Sequence, residues 1–229
     1  MLKFSQYYNL YTENIDKIVA IYPGRFHPFH RGHYGAYRDL VTEFGDCYVA
    51  TSGKQSPTSP FSFDEKREII STMYGIPSDK IVETKIPYVA DEVISKFNLD
   101  TTAVVYGVSE KDRDERFPFV SQDGPNLKKN GDMAHLQKFT QIQAMESVSK
   151  FSYIKVVPTN PIEPPPAGSP LVEVFEKFFP TGPDGNVVSG TNVRKAFKGI
   201  SEELLPDLFT YLFGGYNDKI FNIVKRRLR

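Results

Sequence analysis

Apolar residues fall into short β-branched runs separated by longer stretches with helical spacing. The runs are 17–22, 46–51, 80–84, 103–108 and 153–157, each nearly continuous in apolar character. Parallel strands buried on both faces read this way. Helical spacing recurs near 32–44, 63–74, 90–98 and 133–149. The alternation predicts an α/β fold, a Rossmann-like doubly wound parallel sheet of five strands with helices on both faces. Ligands of such sheets bind beyond the carboxyl ends of the strands, where the strand order reverses.

After Val157 the pattern changes. The stretch from Pro158 to Pro170 holds six prolines and excludes a helix or a central strand. It reads as an extended connection wrapped over the domain. Helical patterns resume near 171–179, 191–198, 201–213 and 217–228. The expectation is one domain over residues 1–229, with a core of about 17–200 and a C-terminal helical extension over 201–229. The polar segment Glu110–Asp132 reads either as a long loop or lid over an active site or as an insertion without function.

Charge narrows the partners. Lys plus Arg and Asp plus Glu number 28 each, so the balance gives no reason to expect nucleic acid or a membrane surface. The local excess Lys225-Arg226-Arg227-Leu228-Arg229 reads as a solvated helix end favoured by the dipole, with contact to an acidic partner as the alternative. One cysteine, Cys47, excludes an intramolecular disulfide and lies in a strand, as a small core residue would. No apolar run reaches transmembrane length, and Met1–Tyr8 is too polar for a signal peptide, which predicts a cytoplasmic protein. A homo-oligomer is compatible with all of this.

The candidate chemistry sits between the first strand and the first helix, in Gly24-Arg25-Phe26-His27-Pro28-Phe29-His30-Arg31-Gly32-His33. Three of the four histidines fall within these positions. Backbone N–H groups at a helix start attract anions, and His30 and His33, three apart, add donors on one face. Gly32 leaves room for a phosphate near the backbone. A transferring phosphoryl group needs donors around its oxygens more than a covalent catalyst. Zinc held by His27, His30 and His33 is the weaker reading, since neither H-E-x-x-H nor C-x-x-C occurs.

The segment Gly24–His33 resembles the H-x-G-H signature of the nucleotidyltransferase superfamily. Its longer G-R-F-x-P-F-H-x-G-H form is most similar to archaeal-type nicotinamide-nucleotide adenylyltransferases and their phage-encoded relatives. A second motif, Ser189-Gly190-Thr191-Asn192-Val193-Arg194, resembles the superfamily's late S-G-T-x-x-R form. Ser189 or Thr191 can cap the helix that starts there, and Arg194 supplies a forked cation. The segment Ser59–Ile70 resembles N-P-F-x-x-x-E-R, in which an arginine points toward the substrates. Here Lys66 holds that position and Arg67 follows, so either takes the role or the two form a surface pair. Lys54 is a further candidate phosphate contact. After the fourth strand, Gly107, Ser109 and Asp112 lie where the superfamily holds ribose and base. The resemblance covers most of residues 17–200.

The resemblance implies an enzyme that binds a nucleoside triphosphate with Mg²⁺ and a small phosphorylated acceptor such as nicotinamide mononucleotide, with no protein-held metal. His30 and His33 would face the α-phosphate and its transition state. Arg25 and Arg194 would hold triphosphate or acceptor, with Gly24, Phe26 and Gly190 shaping the pocket. The arginine in G-R-F favours ATP, and CTP with a phosphorylated alcohol or sugar is the alternative. Such enzymes carry a tryptophan where the pyridine ring binds; this chain has none and offers Tyr88. An aminoacyl-tRNA synthetase would need K-M-S-K-S, which is absent. A non-catalytic nucleotide-binding regulator would be expected to lose a histidine or the late arginine, and both are kept.

Overall fold

The computed structural model describes residues 15–158, 160–179, 181–182, 185–186 and 188–229. The Met1–Tyr8 stretch discussed above lies outside the described residues, as does Thr159 in the proline-rich connection. The sheet has six strands in the order β3-β2-β1-β4-β6-β5. They are β1 (Lys17–Pro23), β2 (Cys47–Thr51), β3 (Ile81–Glu83), β4 (Thr102–Val108), β5 (Leu136–Lys138) and β6 (Ser152–Val156). This is one strand more than the five expected. Contacts divide the chain into two compact units: residues up to Gly24 with Ala36–Ala50 and Thr84–Pro158, and Arg25–Gly35 with Thr51–Glu83 and Thr159–Arg229.

In the first unit the strands pair in parallel. Ala20 of β1 lies opposite Cys47 of β2 and Val105 of β4, and β6 lies between β4 and β5. All seven positions of β4 are buried, as its unbroken apolar run requires. Helix α1 (Arg31–Phe44) places Leu40, fully buried, over Gly107 of β4, where a Cβ would run into the Leu40 side chain. Close helix packing is therefore what Gly107 provides here. Cys47 is buried, as a core residue should be.

Three expected elements in this unit differ. The helix near 90–98 is only α2 (Asp91–Ile94). No helix spans 133–149; β5 lies there instead, followed by a 3-10 turn at Ile142–Ala144. Gln137, 5% exposed, explains why. Its side chain accepts from the Asn126 N–H at 3.0 Å and donates to the carbonyls of Asn126 (3.0 Å) and Ala134 (2.6 Å). A strand lets these tertiary bonds form, and they override the helix-like spacing of the apolar residues. The supposed loop 110–132 opens with helix α3 (Glu110–Arg116), capped by Ser109. Its charges pair along its length, Arg116 with Asp112 and Lys111 with Glu115, so it needs little apolar face.

The second unit is largely helical. Helix α4 (Phe63–Tyr74) begins with a capping box between Ser62 and Glu65 and ends at Gly75 in the left-handed region. Later come α5 (Val172–Phe178), a short hairpin β7 (Thr181–Gly182) with β8 (Gly185–Asn186), and the helices α6 (Gly190–Gly199), α7 (Leu205–Phe213) and α8 (Asp218–Leu228). Phe61, Ile69, Val193, Phe197, Leu208, Phe209, Leu212 and Val224 form one buried cluster with parts of all these helices. Each buried Phe or Leu contributes about 1.5–3 kcal/mol. The C-terminal helices thus build this unit's core.

The basic end is tied down. Arg226 and Arg227 both reach Glu65, at 3.1 and 2.8 Å. Arg229 donates to the carbonyls of Phe197 (3.2 Å) and Ile200 (2.7 Å), closing the end of α6. Among the described residues no helix is long and apolar enough to cross a membrane.

Candidate active site

The turn that follows β1 and the start of α6 meet in the second unit. Arg194 lies one turn into α6, and its guanidinium donates from Nη1 to the His27 carbonyl at 2.8 Å and from Nη2 to Thr191 Oγ1 at 3.0 Å. Ser189 caps α6 by accepting the Asn192 N–H at 3.1 Å. Gly190 makes the close approach feasible, because a Cβ there would lie 2.7 Å from the His27 carbonyl oxygen. Two segments 167 residues apart are thereby locked together.

The two histidines of the H-x-G-H segment cap α1 reciprocally. His30 precedes the helix, and its Nδ1 accepts the Gly32 N–H at 3.2 Å. His33, in the first turn, accepts the His30 N–H on its own Nδ1 at 3.3 Å. This is a capping box made from imidazoles. With both Nδ1 atoms accepting, each neutral ring carries its proton on Nε2, a tautomer assigned here from the hydrogen bonds. Burial holds His33 at about 4, below its ordinary 6.5. Burial and the adjacent His33 push His30 well below 6.5, against the Val188 backbone, which pulls the other way. The rings lie 3.9 Å apart, centroid to centroid, and both are neutral donors at neutral pH.

Phe26 holds the turn in an unusual conformation. Its φ is 47°, in the left-handed region that non-glycine residues seldom adopt. Edge contacts of its ring with Phe29 (5.0 Å) and His33 (5.2 Å) fix it there. Strain of this kind, of order 1–3 kcal/mol, gathers at binding sites.

These residues enclose a cavity of about 460 Å³, lined by Arg25, Phe26, His27, His33, Thr58, Ser59, Gly190, Thr191 and Arg194. Among the described residues neither Arg25 nor Arg194 has a carboxylate in ion-pair distance. Burial and then the charge of Arg25 lower the pKa of Arg194. His27 is 6% exposed, stacks on Phe61 at 6.0 Å, and has no hydrogen bond on either ring nitrogen among the described residues. Burial, then Lys66, Arg194 and Arg25, push its pKa down to about 3. Two guanidinium groups with no carboxylate partner among the described residues, neutral imidazoles and three hydroxyls line this cradle, an arrangement whose chemistry suits a polyanion.

Not every expected residue lies in it. Gly24 follows β1, with its N–H on the Ala50 carbonyl at 3.0 Å. Gly32 does not open toward a ligand, for a Cβ there would lie 2.9 Å from the Asn160 carbonyl and 3.2 Å from the His30 ring. Lys54 is exposed. Arg67 lies at the surface and pairs with Asp64 at 2.7 Å, so no surface pair of Lys66 and Arg67 forms. Lys66 turns inward, donating to the Ser52 carbonyl at 2.6 Å and Thr51 Oγ1 at 3.3 Å. In the first unit Ser109 and Asp112 bond each other at 3.0 Å, and Arg116 both pairs with Asp112 and lies 4.9 Å over the Tyr88 ring. Sequence reasoning missed Thr58 and Ser59 as cradle-lining residues and His27 as the acceptor for Arg194. Only the turn-forming Ser-Pro-Thr-Ser-Pro stretch hinted at the first two.

A parallel six-stranded sheet with helices around it defines an α/β, Rossmann-like protein. The chain belongs to the cytidylyltransferase-like family, whose model matches residues 21–196. It is similar to two phosphopantetheine adenylyltransferases. That of Maridesulfovibrio salexigens is 28% identical over 26% of this chain and 36% of its own. That of Solidesulfovibrio magneticus is 32% identical over 28% of this chain and 38% of its own. The matches thus span little more than a third of those relatives. Similar solved structures include a bifunctional NMN adenylyltransferase/ADP ribose pyrophosphatase from Francisella tularensis (14% identity, 92% of this chain, 49% of that one, TM-score 0.47). Another is the Plasmodium falciparum nicotinic acid mononucleotide adenylyltransferase complexed with APC (13% identity, 92% and 95% coverage, TM-score 0.48).

Proposed function

We propose that the protein is a nucleotidyltransferase that moves AMP from ATP to a phosphate-bearing acceptor and releases pyrophosphate. The observation that carries this reading is the cradle itself. Arg194, locked to the His27 carbonyl, and Arg25 face one cavity beside His33, with no carboxylate among the described residues in ion-pair distance of either. Membership of the cytidylyltransferase-like family supports the reaction class. The adenylyl transfer named for the similar phosphopantetheine enzymes supports ATP as donor.

In this mechanism an acceptor phosphate oxygen attacks the α-phosphorus in line. The new P–O bond forms as the bond to the β-phosphate oxygen breaks, and pyrophosphate carries off that electron pair. The Nε2–H of His33 donates to an α-phosphate oxygen as charge gathers in the transition state, and His30 holds His33 in that orientation. Arg25 and Arg194 hold the β- and γ-phosphates, with the capped start of α6 facing the same anion. Thr58, Ser59 and Thr191 add hydroxyl donors. No cluster of three metal-ligating side chains occurs among the described residues. The cradle's guanidinium and hydroxyl donors suit a phosphate, and Mg²⁺ would enter with the triphosphate as part of the substrate.

The acceptors to test are those of the similar enzymes, phosphopantetheine and the nicotinamide or nicotinic acid mononucleotides, each ending in a phosphate. Pyrophosphate release is measured with ATP or CTP against each acceptor. Release with ATP and at least one acceptor is expected. Release with CTP alone would move the reading to cytidylyl transfer, and release with neither donor would refute it.

A further inference from the structure

Among the described residues Lys66 is the only lysine, arginine or carboxylate sealed from solvent, at 1% exposure. Taking an ammonium out of water costs several kcal/mol. A residue with only a packing role would be better apolar, as Ile69 and Ile70 are on the same helix. The charge therefore calls for another explanation, and its contacts supply one. Nζ donates to the Ser52 carbonyl at 2.6 Å and to Thr51 Oγ1 at 3.3 Å. Thr51, itself fully buried, donates its hydroxyl to the Arg25 carbonyl at 3.4 Å. An unbroken path thus runs from the ammonium to the backbone of a cradle residue.

We propose that Lys66 is a positioning residue: its buried ammonium steadies the Arg25 turn through Thr51 and backs the anion cradle with positive charge without touching the ligand, so that polyphosphate binding draws a proton onto Lys66. The inference rests on the cradle being a nucleotide site. The charges that face Lys66 come from several elements. Glu83 of β3 favours its ammonium and Arg25 opposes it, while burial outweighs both and lowers its pKa to about 8. His27, whose own pKa Lys66 helps depress, stays neutral throughout this range. On its own helix Glu65 is engaged by Arg226 and Arg227, and Arg67 by Asp64. An added polyanion favours the charged lysine, so by linkage the charged lysine favours the polyanion.

Calorimetric titration of the full chain with Mg²⁺·ATP, at pH values from about 7 to 9.5 and in buffers of different ionisation enthalpy, tests this directly. In the native protein, affinity should fall by about five- to tenfold across the alkaline half of that range, and binding near pH 8 should take up a fraction of a proton. Lys66→Met should bind about tenfold more weakly at pH 7 with a flat pH profile, and its melting temperature should stay within a few degrees of the native value, because the lost desolvation cost offsets the lost hydrogen bonds. Lys66→Arg, charged at every pH, should bind with a flat profile and stay tighter than the Met form. Thr51→Val should keep the alkaline limb and lower turnover, and its effect should not add to that of Lys66→Met. Native protein that binds Mg²⁺·ATP without proton uptake, or a Met variant with native affinity and the same alkaline limb, would overturn the inference alone. Native protein that binds neither Mg²⁺·ATP nor Mg²⁺·CTP would overturn it together with the nucleotidyl-transfer reading.

Discussion

Gly190→Ala places the strictest demand on the site's geometry. The added Cβ would lie 2.7 Å from the His27 carbonyl oxygen, 3.1 Å from its carbon and 3.4 Å from Arg194 Nη1. The first two are backbone atoms, so no side-chain rotation relieves the overlap. The start of α6 and the His27 turn must separate by about half an ångström, and the 2.8 Å bond from Arg194 to His27 stretches with them. Overpacking of this kind costs about 1–3 kcal/mol, and a hydrogen bond to a charged donor contributes about 1.5–3 kcal/mol. Since 1.4 kcal/mol is about a factor of ten, loss of Arg194's placement should weaken Mg²⁺·ATP binding by about ten- to a hundredfold. The melting temperature should fall by about 2–10 °C, from the strain alone. Calorimetry measures the first and scanning fluorimetry the second. Binding within twofold of native would show that the seam between the two segments does not shape the cradle.

Acid should unfold the protein early. His27 and His33 have folded pKa values of about 3 and 4, below the 6.5 of an open chain, and His30 is lowered as well. The unfolded chain therefore binds more protons as pH drops below 6.5, so stability present above that pH is lost on acidification. At pH 5 the loss is about 2 kcal/mol for His27 and somewhat less for half-buried His33; denaturant midpoints that do not move between pH 7 and 5 would contradict it. Glu65→Gln keeps the capping box but gives up Arg226 and Arg227, and should cost under about 1 kcal/mol, because both arginines are substantially exposed. Glu65→Ala loses the cap too and should cost about 1–2 kcal/mol more in chemical unfolding. Cys47, buried at 2% exposure, should react with a thiol reagent only at the rate of opening, so prompt labelling of folded protein would contradict its placement.

Five of the six strands were legible because each falls in a run rich in β-branched and other apolar residues, and β1, β2, β4 and β6 lie within a residue or two of the expected limits, whereas β5 has no such run. Helix α4 was legible from its apolar spacing over 63–74, and the structure ends it at those limits with the Ser62–Glu65 capping box and Gly75. What misled was tertiary. The apolar residues of 133–149 recur at near-helical intervals, yet Gln137's bonds to Asn126 and Ala134 favour a strand. Helix α3 was hidden because it is held by Ser109 and by charge pairs along its surface, leaving no apolar stripe. In the site, His30 and His33 could be named from their spacing at a helix start, and Ser189 and Arg194 from the resemblance of 189–194 to the late S-G-T-x-x-R form. The inward turn of Lys66, the acceptor role of the His27 carbonyl and the need for Gly190 depend on segments far apart in sequence, and composition has no record of such distances.

The central claim is that the cradle transfers a nucleotidyl group, and transfer of label tests it most directly. ATP labelled at the α-phosphate is incubated with Mg²⁺ and each phosphorylated acceptor, using native protein and His33→Ala. Label should move to an acceptor in the native reaction, with stoichiometric pyrophosphate. The variant should lose about a hundredfold or more in turnover while its helical content stays native, because one donor to the transition-state charge is gone. Label that never leaves ATP, or a His33→Ala protein with native turnover, would contradict it.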